Sequence, residues 1–256
     1  MIVTGFNGNT DDEYFYDYLL LIQLLSANFF KIKTSIKILL NKENKKLYEK
    51  LINQFNIKLN IEIIEHNFLS SSYNTRYEII KYFINEKEFL YIDIDAIFLK
   101  NIDNFLKEKL FKSKVFYTEK IPDYIKKIEK QYYTIPDYNI FAQWFFIKNK
   151  NTPPITIDYI KTINLNTNGM KSLDLNFSKI INNIEYNDQY FGAYYPKHKL
   201  NQKQYLFHYD GLIDSGFFNK LKLFNYKLYK YIILFLNRIP NYEGIKNDPK
   251  YFDRFQ

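Results

Sequence analysis

Two aspartates two positions apart, Asp93 and Asp95, directly follow the apolar run Phe89–Ile92. A short uninterrupted apolar run is typical of a parallel strand buried on both faces. Residues two apart in an extended segment point to the same side, so both carboxylates should emerge together at the carboxyl end of this strand. Burying such a pair is costly unless a cation or strong hydrogen-bond donors neutralise it. The pair therefore predicts a cation site; the alternative is a solvated strand end that caps a neighbouring helix.

The composition restricts which other chemistry the chain can do. It has no cysteine, which excludes disulfides, thiolate metal sites and a cysteine nucleophile. Lys and Arg number 36 against 28 Asp and Glu, so the net charge of +8 should attract polyanions such as nucleic acids, anionic lipids or phosphorylated ligands. No apolar run approaches the roughly 20 residues that cross a bilayer, and the chain opens without a leader pattern, so we expect a cytoplasmic protein.

The elements that must position the carboxylates alternate between strand and helix over the first 120 residues. Strands are predicted at Ile2–Val3, Ser35–Leu40, Ile61–Ile64, Phe89–Ile92 and, later, Ile140–Ile147. Helices are predicted over Tyr14–Phe29, Lys42–Phe55 and Thr75–Ile84, a polar turn over 5–12 and a loop over Thr152–Pro154. This order predicts an α/β fold with a doubly wound sheet and right-handed crossovers. Such sheets bind ligands beyond the carboxyl ends of their strands, which is where Asp93 and Asp95 should lie.

The stretch Leu90–Asp103 resembles a signature of metal-dependent nucleotide-sugar glycosyltransferases of the GT-A fold, most closely glycosyltransferase family 8. That signature reads leucine-tyrosine-leucine-aspartate-x-aspartate, an apolar stretch, and a short loop that ends in aspartate. Three further matches occur in the expected order, namely Arg76, the pair Asp188-Gln189, and the run His208-Tyr209-Asp210-Gly211. The resemblance spans residues 1 to about 215, and its ordered matches are more specific than any one of them alone. It implies a GT-A fold with a mixed sheet.

The resemblance implies that Asp93, Asp95 and His208 are the metal ligands. Two carboxylates, one imidazole and two diphosphate oxygens form a coordination sphere that suits Mn²⁺ best and Mg²⁺ second. Such an ion would stabilise the negative charge that builds up on the leaving nucleotide. A lone histidine is more often a surface or hydrogen-bonded core residue, and this is the alternative for His208.

A nucleotide-binding end is expected after the first strand, where Thr4, Gly5 and Phe6 would lie against a nucleoside. A turn that simply needs a glycine is the alternative. Arg76 resembles the basic residue that approaches the phosphates or sugar of the donor. Its guanidinium suits this role, since it can bind phosphate in a bidentate manner. An ordinary helix-surface charge is the alternative for Arg76. Asp93 is also expected to contact the ribose.

Gln189 and Asp188 are the candidate catalytic residues, again through the resemblance. In retaining members of the family the acceptor attacks on the face that the nucleotide leaves, which would place Gln189 beneath the anomeric carbon. Asp188 is the alternative for that role, or it could hold a sugar hydroxyl. The pair could also simply begin a helix as N-cap residues.

The chain is expected to divide into a GT-A domain over residues 1–215 and a basic amphipathic tail over residues 216–256. From Phe217 to Arg238 an apolar stripe alternates with five cations, and no acidic residue occurs. This pattern predicts a helix that lies on an anionic membrane surface. A terminal helix packed on the domain with solvated lysines is the alternative.

The leading functional prediction is a hexosyltransferase that moves a sugar from a UDP-sugar, with retention, to a glycan or lipid-linked acceptor. A haloacid-dehalogenase-like phosphatase is a second reading, because Asp-Ile-Asp after an apolar strand also resembles its nucleophile and acid. That pair normally opens its domain and needs a later acidic Gly-Asp cluster, which this sequence lacks. The third reading is a non-enzymatic nucleic-acid-binding protein. The cations of this chain are scattered along the sequence and no aromatic-basic motif of nucleic-acid-binding proteins occurs, so nucleic acid is not an expected partner.

Overall fold

A computed structural model describes residues 1–7, 13–70, 75–109, 112, 116–120, 141–142, 145–165, 184–186, 191–193, 200, 202–208 and 215–238. The elements in chain order are β1 (Ile2–Phe6), α1 (Glu13–Phe29), β2 (Ile36–Leu40), α2 (Lys42–Gln54), β3 (Ile61–Glu65), α3 (Thr75–Phe83), β4 (Phe89–Ile92), β5 (Ala96–Phe98), α4 (Asp103–Glu108), β6 (Phe116–Lys120), β7 (Phe141–Ala142), β8 (Phe145–Lys148), α5 (Pro154–Thr162), β9 (Ile184–Tyr186), β10 (Phe191–Ala193), β11 (Leu206–His208), α6 (Ser215–Phe224) and α7 (Tyr226–Leu236).

The central sheet has the strand order β3-β2-β1-β4-β8. Strands β1 to β4 are parallel, and β8 runs antiparallel to β4. The chain builds outward from β1 to β2 and β3, then returns to pair β4 with the other side of β1. The strand order therefore reverses between β1 and β4, which is where open α/β sheets bind ligands at their carboxyl ends. The predicted α/β fold with a doubly wound mixed sheet is confirmed.

The two strands beside the switch in strand order, β1 and β4, are largely apolar, as is typical of strands buried on both faces of a parallel sheet. Every residue of β1 and of β4 is buried. From Tyr18 to Ala27 helix α1 is mostly apolar and buried, and the helix contacts β5 and α7. Helix α3 packs against β1 and against α5. The edge strand β3 is only partly buried, as its alternating Ile and Glu residues indicate.

Two smaller sheets flank the central one, with the orders β10-β11-β5 and β7-β6-β9. In the first, β11 runs antiparallel to β5 and parallel to β10. Strand β5 begins one residue after Asp95, so this sheet is connected directly to the carboxyl end of β4. The first small sheet therefore brings a distant strand, β11, to the predicted cation site.

The structure differs from the sequence-based prediction at three places. Gly5 and Phe6 belong to β1 rather than to the predicted polar turn, because both pair with β2 in the sheet. The predicted strand Ile140–Ile147 is divided into β7 and β8, which belong to different sheets. Pro154, expected in a loop, is the first residue of α5, a position where its missing N–H costs nothing.

In its described part, up to residue 238, the basic tail forms two helices, α6 and α7, which are separated at Asn225. Asn225 caps α7, since its side chain accepts a hydrogen bond from the Leu228 amide at 3.0 Å. The tail packs on the domain: the ring of Tyr231 lies 5.3 Å from Phe29, and that of Phe235 lies 5.5 Å from Phe55. Among the residues of the tail whose burial the structure describes, the buried apolar ones are Leu221, Leu228, Ile232 and Leu236.

This packing agrees with the alternative in which the tail is a helix that covers the domain. Some apolar residues nevertheless point outward, since Leu223 is 89% exposed and Leu234 is 54% exposed. Within the part of the chain that the structure describes, no helix is both long enough and apolar enough to span a bilayer.

Candidate metal centre

Asp93 and Asp95 lie in the turn between β4 and β5, at the carboxyl edge of the central sheet. The turn is closed by a hydrogen bond of 3.2 Å from the Ala96 amide to the Asp93 carbonyl. Both side chains are largely buried, with 15% and 17% of their surfaces exposed. The predicted placement of two carboxylates at the end of a buried strand is therefore correct.

His208 is the last residue of β11, and it pairs with Ala96 of the neighbouring strand β5. This register places the imidazole beside the Asp95 carboxylate, with 2.8 Å between His208 Nε2 and Asp95 Oδ1. The side chain of His208 is 2% exposed. A histidine more than a hundred residues away in sequence is thus brought to the acidic pair by one antiparallel strand pairing.

Asp93, Asp95 and His208 form a cluster that fits one metal ion. One ligand atom from each residue lies within 4.8 Å of the other two. Ligands of hard divalent ions lie about 2.0–2.6 Å from the ion, so atoms on opposite sides of one ion are about 4–5 Å apart. The donor set of two carboxylate oxygens and one imidazole nitrogen suits a divalent ion between the hard and borderline classes.

Asp93 also has two neighbours that stabilise its negative charge. The Tyr91 hydroxyl donates a hydrogen bond to Asp93 Oδ1. Arg76, in the first turn of α3, lies with Nη2 at 3.4 Å from Asp93 Oδ2. Arg76 is therefore not an isolated surface charge, because it belongs to the same cluster as the acidic pair.

The two carboxyls differ in how their surroundings affect their proton affinity. Burial raises the pKa of Asp93 above its usual value, although the positive charge of Arg76 opposes the change. Burial acts in the same direction on Asp95, but the charge and hydrogen bond of His208 outweigh it, so the pKa of Asp95 is lowered. Burial, followed by the nearby Asp93 charge, raises the pKa of Tyr91 well above its usual value, which keeps its hydroxyl proton available for donation. Asp95 is consequently the more firmly ionised of the two carboxyls.

Helix α1 contacts the turn that carries Asp93 and Asp95 through the side chain of Gln23. Its side-chain Nε2 donates to the Asp93 carbonyl at 2.6 Å and to the Ala96 carbonyl at 3.3 Å. One turn further along the helix, the Ser26 hydroxyl accepts from the Phe98 amide at 3.0 Å. Sequence reasoning missed Gln23, although a lone amide within the apolar run Leu19–Leu25 is a signal that it could have used.

The predicted nucleotide-binding residues Thr4, Gly5 and Phe6 lie within β1, next to β4 and on the same carboxyl edge. Thr4 and Phe6 are buried, and the Phe6 ring packs edge-on to Tyr48 at 6.2 Å. Gly5 has φ of 153°, and a Cβ there would collide with the Leu39 carbonyl of β2. Close packing between β1 and β2 therefore explains the glycine, so its presence does not by itself indicate a nucleotide contact.

A buried carboxylate orders the loop after β3, beside the end of β1. Glu78 of α3 accepts hydrogen bonds from the Leu69 amide at 3.0 Å, the Ser70 amide at 2.9 Å and His66 Nε2 at 2.8 Å. The Ser70 carbonyl in turn accepts from Asn7 Nδ2 at 2.9 Å. This network holds the 66–70 loop against Asn7, the residue that follows β1.

Asp103, the last residue of the glycosyltransferase-like signature, does not belong to the metal cluster. Its carboxylate accepts hydrogen bonds from the Lys33 and Thr34 amides, both at 2.9 Å, and from the Thr34 hydroxyl at 2.7 Å. It joins the start of α4 to the loop before β2. The remaining predicted site residues, Asp188 and Gln189, lie outside the described residues.

Comparison with known proteins finds similarity in structure alone. The sequence matches no protein-family model, and no curated protein matches it. An active-site variant of LgtC has a TM-score of 0.57 at 13% identity, over 96% of this chain and 99% of that one. The galactosyltransferase LgtC with donor and acceptor sugar analogues gives 0.56 at 11%, over 95% and 99%.

Two further solved structures share the architecture. The bifunctional glycosyltransferase WbbM has a TM-score of 0.55 at 14% identity; 95% of this chain is covered, but only 50% of WbbM. Mouse xyloside xylosyltransferase 1 gives 0.53 at 8%, over 82% of this chain and 96% of that one. This chain thus spans half of WbbM and nearly the whole of the other two. Likeness at these identities establishes the fold, and the chain has the GT-A type of α/β fold.

Proposed function

We propose that this chain is a metal-dependent glycosyltransferase of the family 8 type. It moves a hexose from a UDP-sugar, with retention of configuration, to a glycan or lipid-linked acceptor. Residues 1–215 form its catalytic domain. We expect the reaction to take place in the cytoplasm.

One observation carries this proposal: Asp93, Asp95 and His208 place their ligand atoms within 4.8 Å of one another. They do so where the strand order reverses between β1 and β4, the expected ligand-binding edge of this fold. A buried acidic pair is costly unless a cation or strong hydrogen-bond donors neutralise it, and a metal ion would add to the stabilisation that Arg76, Tyr91 and His208 provide. The GT-A type of fold and a cation site at this edge together favour a nucleotide-diphosphate donor.

The three ligands would bind Mn²⁺ or Mg²⁺, and Asp93 would also contact the ribose. A bound ion of this kind supplies Lewis-acid stabilisation of the charge on the leaving diphosphate. Arg76 is well placed to bind the same diphosphate, because its guanidinium is 3.4 Å from Asp93 and 16% exposed. The buried position of the cluster excludes water and strengthens these interactions.

The remaining roles follow from the resemblance. The backbone of Thr4, Gly5 and Phe6, with β1 next to β4, would line the nucleoside end of the site. Gln189 would lie beneath the anomeric carbon of the transferred sugar, and Asp188 would hold one of its hydroxyls or take the place of Gln189.

Metal-dependent hydrolysis of UDP-hexoses tests the proposal. When no acceptor is present, glycosyltransferases slowly transfer the sugar to water and release UDP. We expect the parent protein to release UDP in Mn²⁺ and not in EDTA. The Asp95→Ala protein should lose this activity at least about a hundredfold, since a metal ligand is removed. Asp158→Ala, which changes an exposed aspartate of α5, is the matched control and should behave as the parent.

Two results would refute the proposal. One is UDP release by the Asp95→Ala protein at the parent rate. The other is an Asp95-dependent release of phosphate from simple phosphate monoesters without any action on UDP-sugars, which would favour the phosphatase reading. Trials with UDP-glucose, UDP-galactose and UDP-N-acetylglucosamine would identify the hexose.

We also propose that the outer surface of α6 and α7 contacts anionic lipid near the acceptor. Lys222, Lys227 and Lys230 are exposed there with Leu223 and Leu234. The protein should sediment with anionic vesicles, and Leu223→Glu should weaken this binding. Equal sedimentation with neutral vesicles would refute the electrostatic contribution.

A further inference from the structure

Gln23 is a buried amide in the most apolar part of α1. It is 2% exposed, and its neighbours Ile22 and Leu24 are fully buried. A buried amide is unfavourable unless its hydrogen bonds are satisfied, and an apolar residue would pack as well at this position. The hydrogen bonds that Gln23 makes are therefore what distinguishes it from its neighbours.

Both acceptors of Gln23 belong to the turn that carries the metal ligands. They are the carbonyls of Asp93 at 2.6 Å and of Ala96 at 3.3 Å, which lie on either side of Asp95. The two hydrogen bonds come from one nitrogen atom, so they hold the two ends of this turn at a defined separation. The backbone position of Asp95 consequently depends on the side chain of Gln23, whose amide nitrogen is already used in these two hydrogen bonds.

The same anchor affects His208. Ala96, whose carbonyl accepts from Gln23, is the residue that lies opposite His208 in the pairing of β5 with β11. The Asp95–His208 contact of 2.8 Å spans this pairing. A shift of Ala96 would therefore change the separation of the oxygen and nitrogen ligands, and metal affinity depends strongly on such preorganisation.

Ser26 provides a comparison within the same helix. Its hydroxyl donates to the Gln23 carbonyl at 2.7 Å and accepts from the Phe98 amide at 3.0 Å. Ser26 is fully buried, so its loss should also destabilise the protein. Its contact is at the far end of β5, away from the ligands, and it should matter for stability more than for the metal.

The geometry points to Gln23 as a positioning residue that holds the Asp93–Ala96 turn in the conformation that binds the metal. The inference rests on the proposed function and deepens it, because it assigns a determinant of metal affinity to α1. Gln23 is not one of the three proposed metal ligands. Its effect is transmitted through the backbone of the turn.

Mn²⁺ titration of the full chain, followed by the electron paramagnetic resonance signal of the free ion, tests this inference. Gln23→Met keeps the length of the side chain but removes both hydrogen bonds, and we expect its dissociation constant for Mn²⁺ to rise about tenfold or more. Gln23→Asn, whose amide is one methylene shorter, should behave similarly. Ser26→Ala should lose comparable thermal stability yet bind Mn²⁺ within about twofold of the parent.

The outcomes separate this inference from the proposed function. A folded Gln23→Met protein with parent-like Mn²⁺ affinity would overturn the inference alone, and so would equal losses of affinity in Gln23→Met and Ser26→Ala. If neither Gln23 variant folds while Ser26→Ala does, Gln23 is a requirement of the fold and the specific role is refuted. A parent protein that binds no Mn²⁺ would overturn both the proposed function and the inference.

Discussion

The guanidinium of Arg76 lies 3.4 Å from the carboxylate of Asp93, within the cluster that we propose to bind a cation. A fixed positive charge at this distance opposes the arrival of a metal ion at the same carboxylate. The same charge favours the arrival of a diphosphate. Arg76 should therefore affect the two ligands in opposite directions, which a purely structural ion pair would not do.

Replacing Arg76 by Gln should separate these effects. We expect Mn²⁺ alone to bind about fivefold more tightly, the equivalent of about 1 kcal/mol, because a repelling positive charge is removed. In saturating Mn²⁺, UDP should bind about tenfold or more weakly, because a charged hydrogen-bond donor to phosphate is lost. Isothermal titration calorimetry measures both constants.

Arg76→Lys is the matched control for this prediction, since it keeps the charge but not the bidentate geometry. It should leave the Mn²⁺ affinity near that of the parent and weaken UDP binding less than Arg76→Gln does. Parallel weakening of both ligands in Arg76→Gln would indicate that the residue only maintains the local structure.

The chain offers a matched pair of histidines for testing the nitrogen ligand. His208→Gln should abolish most of the rise in melting temperature that Mn²⁺ causes, because a ligand that binds only the folded state stabilises it less when its dissociation constant rises toward the ligand concentration. His66→Gln removes a partner of Glu78, so it should lower the melting temperature without metal but preserve the Mn²⁺-induced rise. An unchanged metal response in His208→Gln would exclude His208 as a ligand.

Asp103 should make stability depend on pH without affecting the metal. Burial alone would raise the pKa of its carboxyl, but the hydrogen bonds from Thr34 and the Lys33 amide lower it below the usual value. A lowered folded-state pKa stabilises the protein above the unfolded-state value, and this contribution is lost as pH falls through the folded-state pKa. Asp103→Asn should therefore be less stable than the parent at pH 7, and the difference should shrink below about pH 4.

Urea unfolding at a series of pH values measures this difference directly. Asp158→Asn, at an exposed position, should show little difference from the parent at any pH. A stability loss in Asp103→Asn that stays constant down to pH 3 would mean that the carboxylate charge is not the cause. A change in Mn²⁺ affinity would contradict the separation of Asp103 from the metal cluster.

Neighbouring residues of β1 should respond oppositely to substitution. Gly5→Ala should destabilise the protein by about 2–5 kcal/mol, because the added Cβ meets the Leu39 carbonyl and the positive φ is strained for alanine. Thr4→Val should raise stability by about 1 kcal/mol, because the buried Thr4 hydroxyl has no hydrogen-bond partner among the described residues. Chemical denaturation measures both changes. Destabilisation by Thr4→Val would show that its hydroxyl has a partner after all.

The sequence predicted those parts of the fold that have long patterns. The apolar run of β4 and the periodic helices α1 to α3 were sufficient for the central sheet and for the position of Asp93 and Asp95. Strands β5 and β11 are three residues each, too short for a pattern, so the pairing that brings His208 to Asp95 could be expected only through the family resemblance. Sequence periodicity also cannot show what a buried amide such as Gln23 contacts, because its partners are backbone carbonyls about 70 residues away.

The basic tail shows the same limit of pattern reasoning. The apolar and basic alternation of Phe217–Arg238 predicted helix correctly, but an amphipathic helix looks the same whether its apolar face meets lipid or protein. The contacts of Tyr231 with Phe29 and of Phe235 with Phe55 place much of that face on the domain. Only the tertiary structure distinguishes the two cases.

The central claim is that Asp93, Asp95 and His208 jointly bind one divalent ion. Crystals grown with Mn²⁺ and UDP, measured near the manganese absorption edge, test it by anomalous scattering. We predict a single strong peak within about 2.0–2.6 Å of a carboxylate oxygen of each aspartate and of His208 Nε2. A peak elsewhere, or one at this edge that does not include His208, would contradict the account.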